Sequence, residues 1–174
     1  MQKRKSQINQ GYLTFLAVWV LFSQTSFNAL AQTESLYFER NQVKWVLFTD
    51  SNEVGFNAST AMAKTLEQEE IITADSLIYD FLKSKFSNGQ YPQQGINSCP
   101  YILDSWDRYY RQVVVVRENG TSEDIIWIQY IHKNVVEDHQ NWKESWVYIS
   151  GGCSNYWQAQ VGVDSKKVIS FRIN

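Results

Sequence analysis

This sequence is short of excess basic charge, histidine, cysteine, proline and long apolar runs, and most of these shortages close off a class of function. Sixteen Lys and Arg stand against eighteen Asp and Glu. That balance gives no basic footprint for nucleic acid or an anionic membrane surface. Beyond residue 31 no apolar run approaches the ~20 residues that a membrane-spanning helix needs. The only histidines, His132 and His139, have six residues between them, and a metal site built on them with Glu137 and Asp138 has no third nitrogen ligand. Both prolines, Pro92 and Pro100, fall in one connection. No phosphate-cradling loop, nucleophile elbow, internal repeat or low-complexity tract is present.

The first 31 residues have a character of their own. Lys3, Arg4 and Lys5 precede the apolar run Leu13 to Phe22, and Ala29-Leu30-Ala31 places small residues where a signal peptidase reads. This is the pattern of a cleaved secretory signal, residues 1–31, with the cut before Gln32. The run is about ten residues, too short to span a bilayer, and no cysteine follows it to carry a lipid. The expected location is therefore exported, periplasmic or extracellular, with no membrane span after cleavage. Three of the bases and none of the acids leave with the signal, so the remainder holds thirteen bases against eighteen acids, a net charge of −5. Cys99 and Cys153 both lie in the exported part. An even count in an oxidising compartment favours one disulfide. It would close a loop of about 54 residues and restrict the unfolded chain by several kcal/mol.

Residues 32–64 read as an N-terminal extension with one strand, Val43 to Thr49, after a polar, loose stretch from Gln32 to Arg40. Residues 65–174 read as one α+β domain. Thr65 and Gln68 form a capping-box pattern. Ile71, Ala74, Leu77, Ile78, Phe81 and Leu82 follow at helical spacing, with acids in the first turn, bases in the last, and Asn88-Gly89 as the stop. A long connection, Gln90 to Pro100, and a short turn of helix, Leu103 to Asp107, lead into β structure. Five strands are expected: Tyr109 to Arg117, Asp124 to His132, Trp142 to Ser150, Asn155 to Val163 and Val168 to Ile173. Asn119-Gly120 marks a hairpin, and Gly151-Gly152 supplies the positive φ of a turn. The expected architecture is a curved antiparallel meander with one long helix across one face.

Strand alternation divides these side chains into two rows. Tyr110, Val114, Val116, Ile126, Ile128, Tyr130, Val147, Ile149, Trp157, Ala159, Val161, Phe171 and Ile173 make an apolar row for the helix. The other row mixes Arg111, Val113, Val115, Trp127, Gln129, Trp146, Tyr148, Tyr156, Gln158, Gln160, Ser170 and Arg172. Trp, Tyr and Arg offer contact area with a polar handle, and Gln offers donor and acceptor together. Trp127, Gln129, Trp146, Tyr148, Gln158, Gln160 and Arg111 are the candidate ligand-binding set, for a small ligand, a glycan or a protein. The same face also suits a second core or a homodimer contact. Covalent chemistry has thinner support. Cys153 with His132 or His139 lacks a surrounding motif, and Asp104 with Asp107 reads more simply as the polar flank of Trp106. No cofactor is implied.

One helix before a curved meander resembles the cystatin-like and NTF2-like α+β rolls. Trp142-Lys143, Gly151-Gly152 and Tyr156-Trp157-Gln158 are similar to a closing stretch of small exported bacterial domains of unknown function. The resemblance covers residues 66–174 and implies a fold and an exported setting. The cystatin inhibitory wedge, Gln-x-Val-x-Gly, has its nearest counterpart in Gln158-Ala159-Gln160-Val161-Gly162, which carries glutamine in place of the valine and lies inside a strand. NTF2-like enzymes use a His/Asp pair, and His132 is the one strand-borne histidine. The first expectation is an exported non-enzymatic binding or interaction domain. A peptidase-inhibitor-like module is the alternative, and an NTF2-like enzyme with a Cys/His or His/Asp site comes third.

Overall fold

A computed structural model describes residues 35–49, 54, 60–62, 66–87, 99–118, 120 and 122–174. The expected signal, Thr65, Asn88-Gly89 and most of the 90–100 connection lie outside the described residues. Strands β1 (Leu36–Arg40) and β2 (Val43–Phe48) form a hairpin. Asn41 and Gln42 make the two-residue turn with positive φ of 53° and 67°, the backbone a tight hairpin requires. β3 (Thr60–Met62) and helix α1 (Gln68–Ser87) follow. A 3₁₀ turn (Leu103–Arg108) then enters β4 (Tyr109–Glu118) and β5 (Ile125–His132). One turn of helix, α2 (Lys133–Val136), starts a long irregular segment. A 3₁₀ turn (Cys153–Asn155), β6 (Tyr156–Gly162) and β7 (Val168–Ile173) complete the order.

All seven strands join one open sheet in the order β1-β2-β4-β5-β6-β7, with β3 beside the far end of β4. The expected α+β class with one long helix is present, but the meander is smaller and the sheet larger than the sequence suggests. β4 to β7 are antiparallel neighbours, while β2 runs parallel to β4. The stretch expected to be loose before Arg40 is β1, whose Phe38 stacks on Trp45 at 5.1 Å. The expected strand Trp142 to Ser150 is not a strand. β5 is already paired with β4 on one edge and β6 on the other, so no free edge remains for it.

In the first turn of helix α1 the Glu70 carboxylate accepts from the Glu67 N–H at 2.9 Å, closing one orphan donor at the helix start. Its buried stripe is Ile71, Ala74, Asp75, Ile78 and Leu82. It packs on Trp45, Leu47, Val113, Val115, Ile126, Ile128, Tyr130, Trp157, Ala159 and Val161. Burying each of the large aliphatic side chains is worth ~2 kcal/mol. A second core lies on the opposite face, where Val46, Phe48, Val114, Val116, Ile125 and Ile131 meet Val136, Trp142, Trp146, Val147 and Tyr156. No described helix is long and apolar enough to cross a membrane.

Cys99 and Cys153 form a disulfide with Cα atoms 6.0 Å apart. It ties the end of the 90–100 connection to the turn before β6. Ser154 Oγ donates to Pro100 O, and Tyr109 OH donates to Ser154 O, beside it. Gly151 and Gly152 have φ of +86° and +93°. A Cβ on Gly152 would stand 2.6 Å from a ring carbon of Tyr156. These glycines are there for backbone reasons, and the bonded Cys153 is no nucleophile. The disulfide is compatible with an exported protein.

Candidate functional site

The face away from α1 is built from two rows that cross the sheet. One runs Val46, Gln112, Gln129, Gln158, Arg172; the other runs Phe48, Val114, Trp127, Gln160, Ser170. The register fixes this, because residues directly opposite in a ladder point to the same side. It also corrects the phase expected for β4. Val113 and Val115 lie opposite Ile128 and Ile126 and face the helix, whereas Tyr110, Val114 and Val116 face away. Val147 and Ile149, expected on the helix side, join the second core.

Arg111 therefore leaves the candidate binding set. It lies opposite Tyr130 on the helix side and is fully buried. Its Nε is 3.1 Å from Asp75 Oδ1 and its Nη2 3.4 Å from Asp75 Oδ2, while Nη1 donates to Tyr109 O. Tyr130 OH donates to Asp75 Oδ1 at 2.8 Å. The rings of Trp45, Trp106 and Tyr130 surround the guanidinium at 5.1 to 5.5 Å. Burial, reinforced by the Asp75 charge, pushes the Tyr130 hydroxyl well above its ordinary value and keeps it a donor. This cluster is closed and paired, and it orients α1 on the sheet.

The β2–β4–β5 end of the outer face is roofed by residues 136–149, and Gln112 holds the roof. Its Nε2 donates to Trp142 O at 2.6 Å and Ser145 O at 2.8 Å. Its Oε1 accepts from Val147 N at 2.9 Å and Gln129 Nε2 at 3.2 Å. Gln129 also donates to Val147 O. Two side-chain amides thus supply, from beneath, hydrogen bonds that a neighbouring strand would supply from the side. Trp142 and Trp146 bury their rings under this roof. Gln129 and Trp146 are therefore internal, and Tyr148 is 67% exposed on the outside of the roof with its hydroxyl donating to Val54 O. The sequence reading gives Gln112 no role. Its position opposite Gln129 on a central strand pair is the signal that two amides would be buried together.

The β6–β7 end stays open. Trp127, Gln158 and Gln160 are partly exposed, and Ser170 and Arg172 are exposed. Trp127 Nε1 donates to Gln158 Oε1 at 3.0 Å, and Ser170 Oγ donates to Gln160 Oε1 at 2.6 Å. Trp127 also meets Trp146 edge to face at 6.5 Å, where the open strip joins the roofed core. Of the expected set, the structure brings Trp127, Gln158 and Gln160 together on one accessible strip.

The remaining candidates are dispersed. His132 is buried, its Nδ1 accepts from Asn134 N at 3.3 Å, and its Nε2 has no partner among the described residues. Burial, helped by Arg108 and Lys133, lowers its pKa. His139 lies 3.0 Å from Tyr156 OH, which burial holds above its usual pKa. Asp104 and Asp107 line an open cleft of about 530 Å³ between α1 and the 3₁₀ turn, with Asp80, Tyr79 and Trp106. Among the described residues no group of three or more His, Cys, Asp or Glu is placed to hold a metal ion. The inhibitor-like stretch Gln158–Gly162 is paired on both sides, by β5 and β7. No family model, curated protein or solved structure matches this chain.

Proposed function

We propose that this chain is an exported, non-enzymatic binding domain that holds a small ligand, a glycan or a protein segment on the open strip Trp127, Gln158, Gln160, Ser170 and Arg172. The observation that carries the reading is the contrast along one sheet face. One end is sealed by a roof and two glutamines that satisfy it. The other leaves a partly exposed indole beside polar side chains, an arrangement that a merely structural face would cover. Trp127 gives the strip a large, orientable contact surface, and the second core beneath Trp146 holds it rigid. The secretory pattern of residues 1–31 and the disulfide support an exported setting.

The test is an NMR screen of the disulfide-bonded protein against defined oligosaccharides and peptides, reading the Trp127 indole N–H and the side-chain amides of Gln158 and Gln160. Binding should move these signals first, and Trp127→Phe should weaken it by about tenfold, the loss expected for one well-used aromatic contact. Shifts confined to the cleft between α1 and the 3₁₀ turn would move the site there and end this reading.

A further inference from the structure

The hydrogen bonds inside the open strip define its chemistry more narrowly than its composition does. An indole N–H only donates. The 3.0 Å contact from Trp127 Nε1 therefore fixes which way the Gln158 amide is turned: its oxygen takes the indole N–H, and its NH₂ is left to donate elsewhere. The Gln160 oxygen accepts from Ser170 Oγ at 2.6 Å. Arg172 stands directly opposite Gln158 on β7 and is exposed. A guanidinium also only donates, and its fork fits a carboxylate. None of these three groups gives a hydrogen bond or ion pair to another described residue. The strip thus offers N–H groups from three side chains, one of them cationic, beside one partly exposed indole, while both glutamine oxygens are engaged within it.

We infer that the ligand of this strip is a carboxylate-bearing saccharide, a chain containing uronic acid units. This rests on the binding reading above and narrows it. A carboxylate complements Arg172 and the amide NH₂ groups. Sugar hydroxyls rotate to accept where only donors are offered, and a pyranose ring supplies an apolar face to the indole. An extended acidic peptide fits less well, because its backbone brings an N–H for every C=O, whereas both glutamine oxygens of the strip are already engaged.

The test is calorimetric titration of the disulfide-bonded protein with short oligogalacturonates, with neutral malto-oligosaccharides of equal length, and with an oligoglutamate peptide. The oligogalacturonates should bind at least about tenfold more tightly than either control, the size of one hydrogen bond to a charged group. The decisive variant is Gln158→Glu. It keeps an oxygen for the Trp127 indole, so its melting temperature should match the parent, but it turns an amide donor into a negative acceptor and should abolish oligogalacturonate binding. Arg172→Gln should weaken it by about tenfold. Equal binding of acidic and neutral saccharides, both lost in Trp127→Phe, overturns the acidic class and leaves the binding face standing. Preference for the peptide overturns the saccharide. Oligogalacturonate binding indifferent to Gln158→Glu overturns the placement, and binding of none of the three probes overturns the inference.

Discussion

Gln112 is the point at which the outer core can be unlocked with one substitution. Gln112→Leu keeps the approximate shape and loses four hydrogen bonds. Gln129 Nε2 retains its second acceptor, Val147 O, and the Ser145 carbonyl sits at an exposed residue where water can replace the amide. The Trp142 carbonyl and the Val147 N–H are left, both on buried residues. An abandoned buried backbone group costs ~1–3 kcal/mol, so the pair costs ~4 kcal/mol. Burying leucine in place of an amide returns ~1 kcal/mol, for a net loss of ~3 kcal/mol. For a domain of this size each kcal/mol moves the melting temperature by roughly 3 °C, so a fall of about 10 °C is expected. Calorimetry reads the fall, and hydrogen exchange reads its origin: the Val147 amide should lose protection while the amides of β5 and β6 keep theirs. A variant that melts within about 2 °C of the parent with Val147 still protected would refute the reasoning, because the roof would then be held by its tryptophans alone. Gln112→Glu sharpens the test. It places a carboxylate oxygen against two carbonyls, so it should be the less stable variant at neutral pH and should recover as acid protonates it.

Other outcomes follow from the buried charge, the crosslink and the buried histidine. Asp75→Asn leaves Arg111 buried without its counter-charge and should cost ~3–5 kcal/mol in urea unfolding; Asp75→Leu with Arg111→Met should recover most of it, and a double variant no better than Asp75→Asn would contradict the pairing. Cys99→Ser with Cys153→Ser frees a separation of 54 residues and should cost ~4 kcal/mol by the loop-entropy relation, whereas a change below ~1 kcal/mol would show that the link barely constrains the unfolded chain. His132 has its folded pKa lowered by burial. Its contribution is complete above the unfolded value of ~6.5 and is lost as pH falls below it. His132→Gln should flatten that part of the stability–pH curve, and an unchanged slope between about pH 7 and 5 would remove His132 as its source.

How far the sequence could be read depended on contrast between neighbouring residues. β5 alternates in a way that burial resolves, with Trp127 and Gln129 between Ile126, Ile128 and Tyr130, and its two faces were assigned correctly. β4 contains four consecutive valines, Val113 to Val116, which carry no phase. The expected phase was off by one residue, and Arg111 went to the wrong face. Asp75 held the missing signal: an acid inside the apolar stripe of α1 needs a buried partner, and Arg111 is that partner. The 142–150 segment has strand-like composition because tryptophan, valine and tyrosine suit any half-buried surface. What decides against a strand beside β5 is that β4 and β6 take both of its edges, a property of the whole topology and not of the segment. β1 was passed over because it is only five residues long and is stabilised by its hairpin partner. The disulfide was favoured from cysteine arithmetic alone. Which part of the second face stays open was not legible, since it depends on where the roof ends.

The two borders of the sheet are unequal. On β7 the register shifts against Gln160 and Val161, leaving Ile169 without an opposite residue and 50% exposed. A strand interrupted in this way is a poor template for another chain. β1 has five uninterrupted pairs with β2 and presents Leu36 and Tyr37 at 45% and 39% exposure. Edge-to-edge growth in a crowded compartment should therefore begin at β1 and spare the end that carries the proposed binding strip. Crosslinks formed in concentrated protein should join β1 to β1, and crosslinks through β7 would reverse that order.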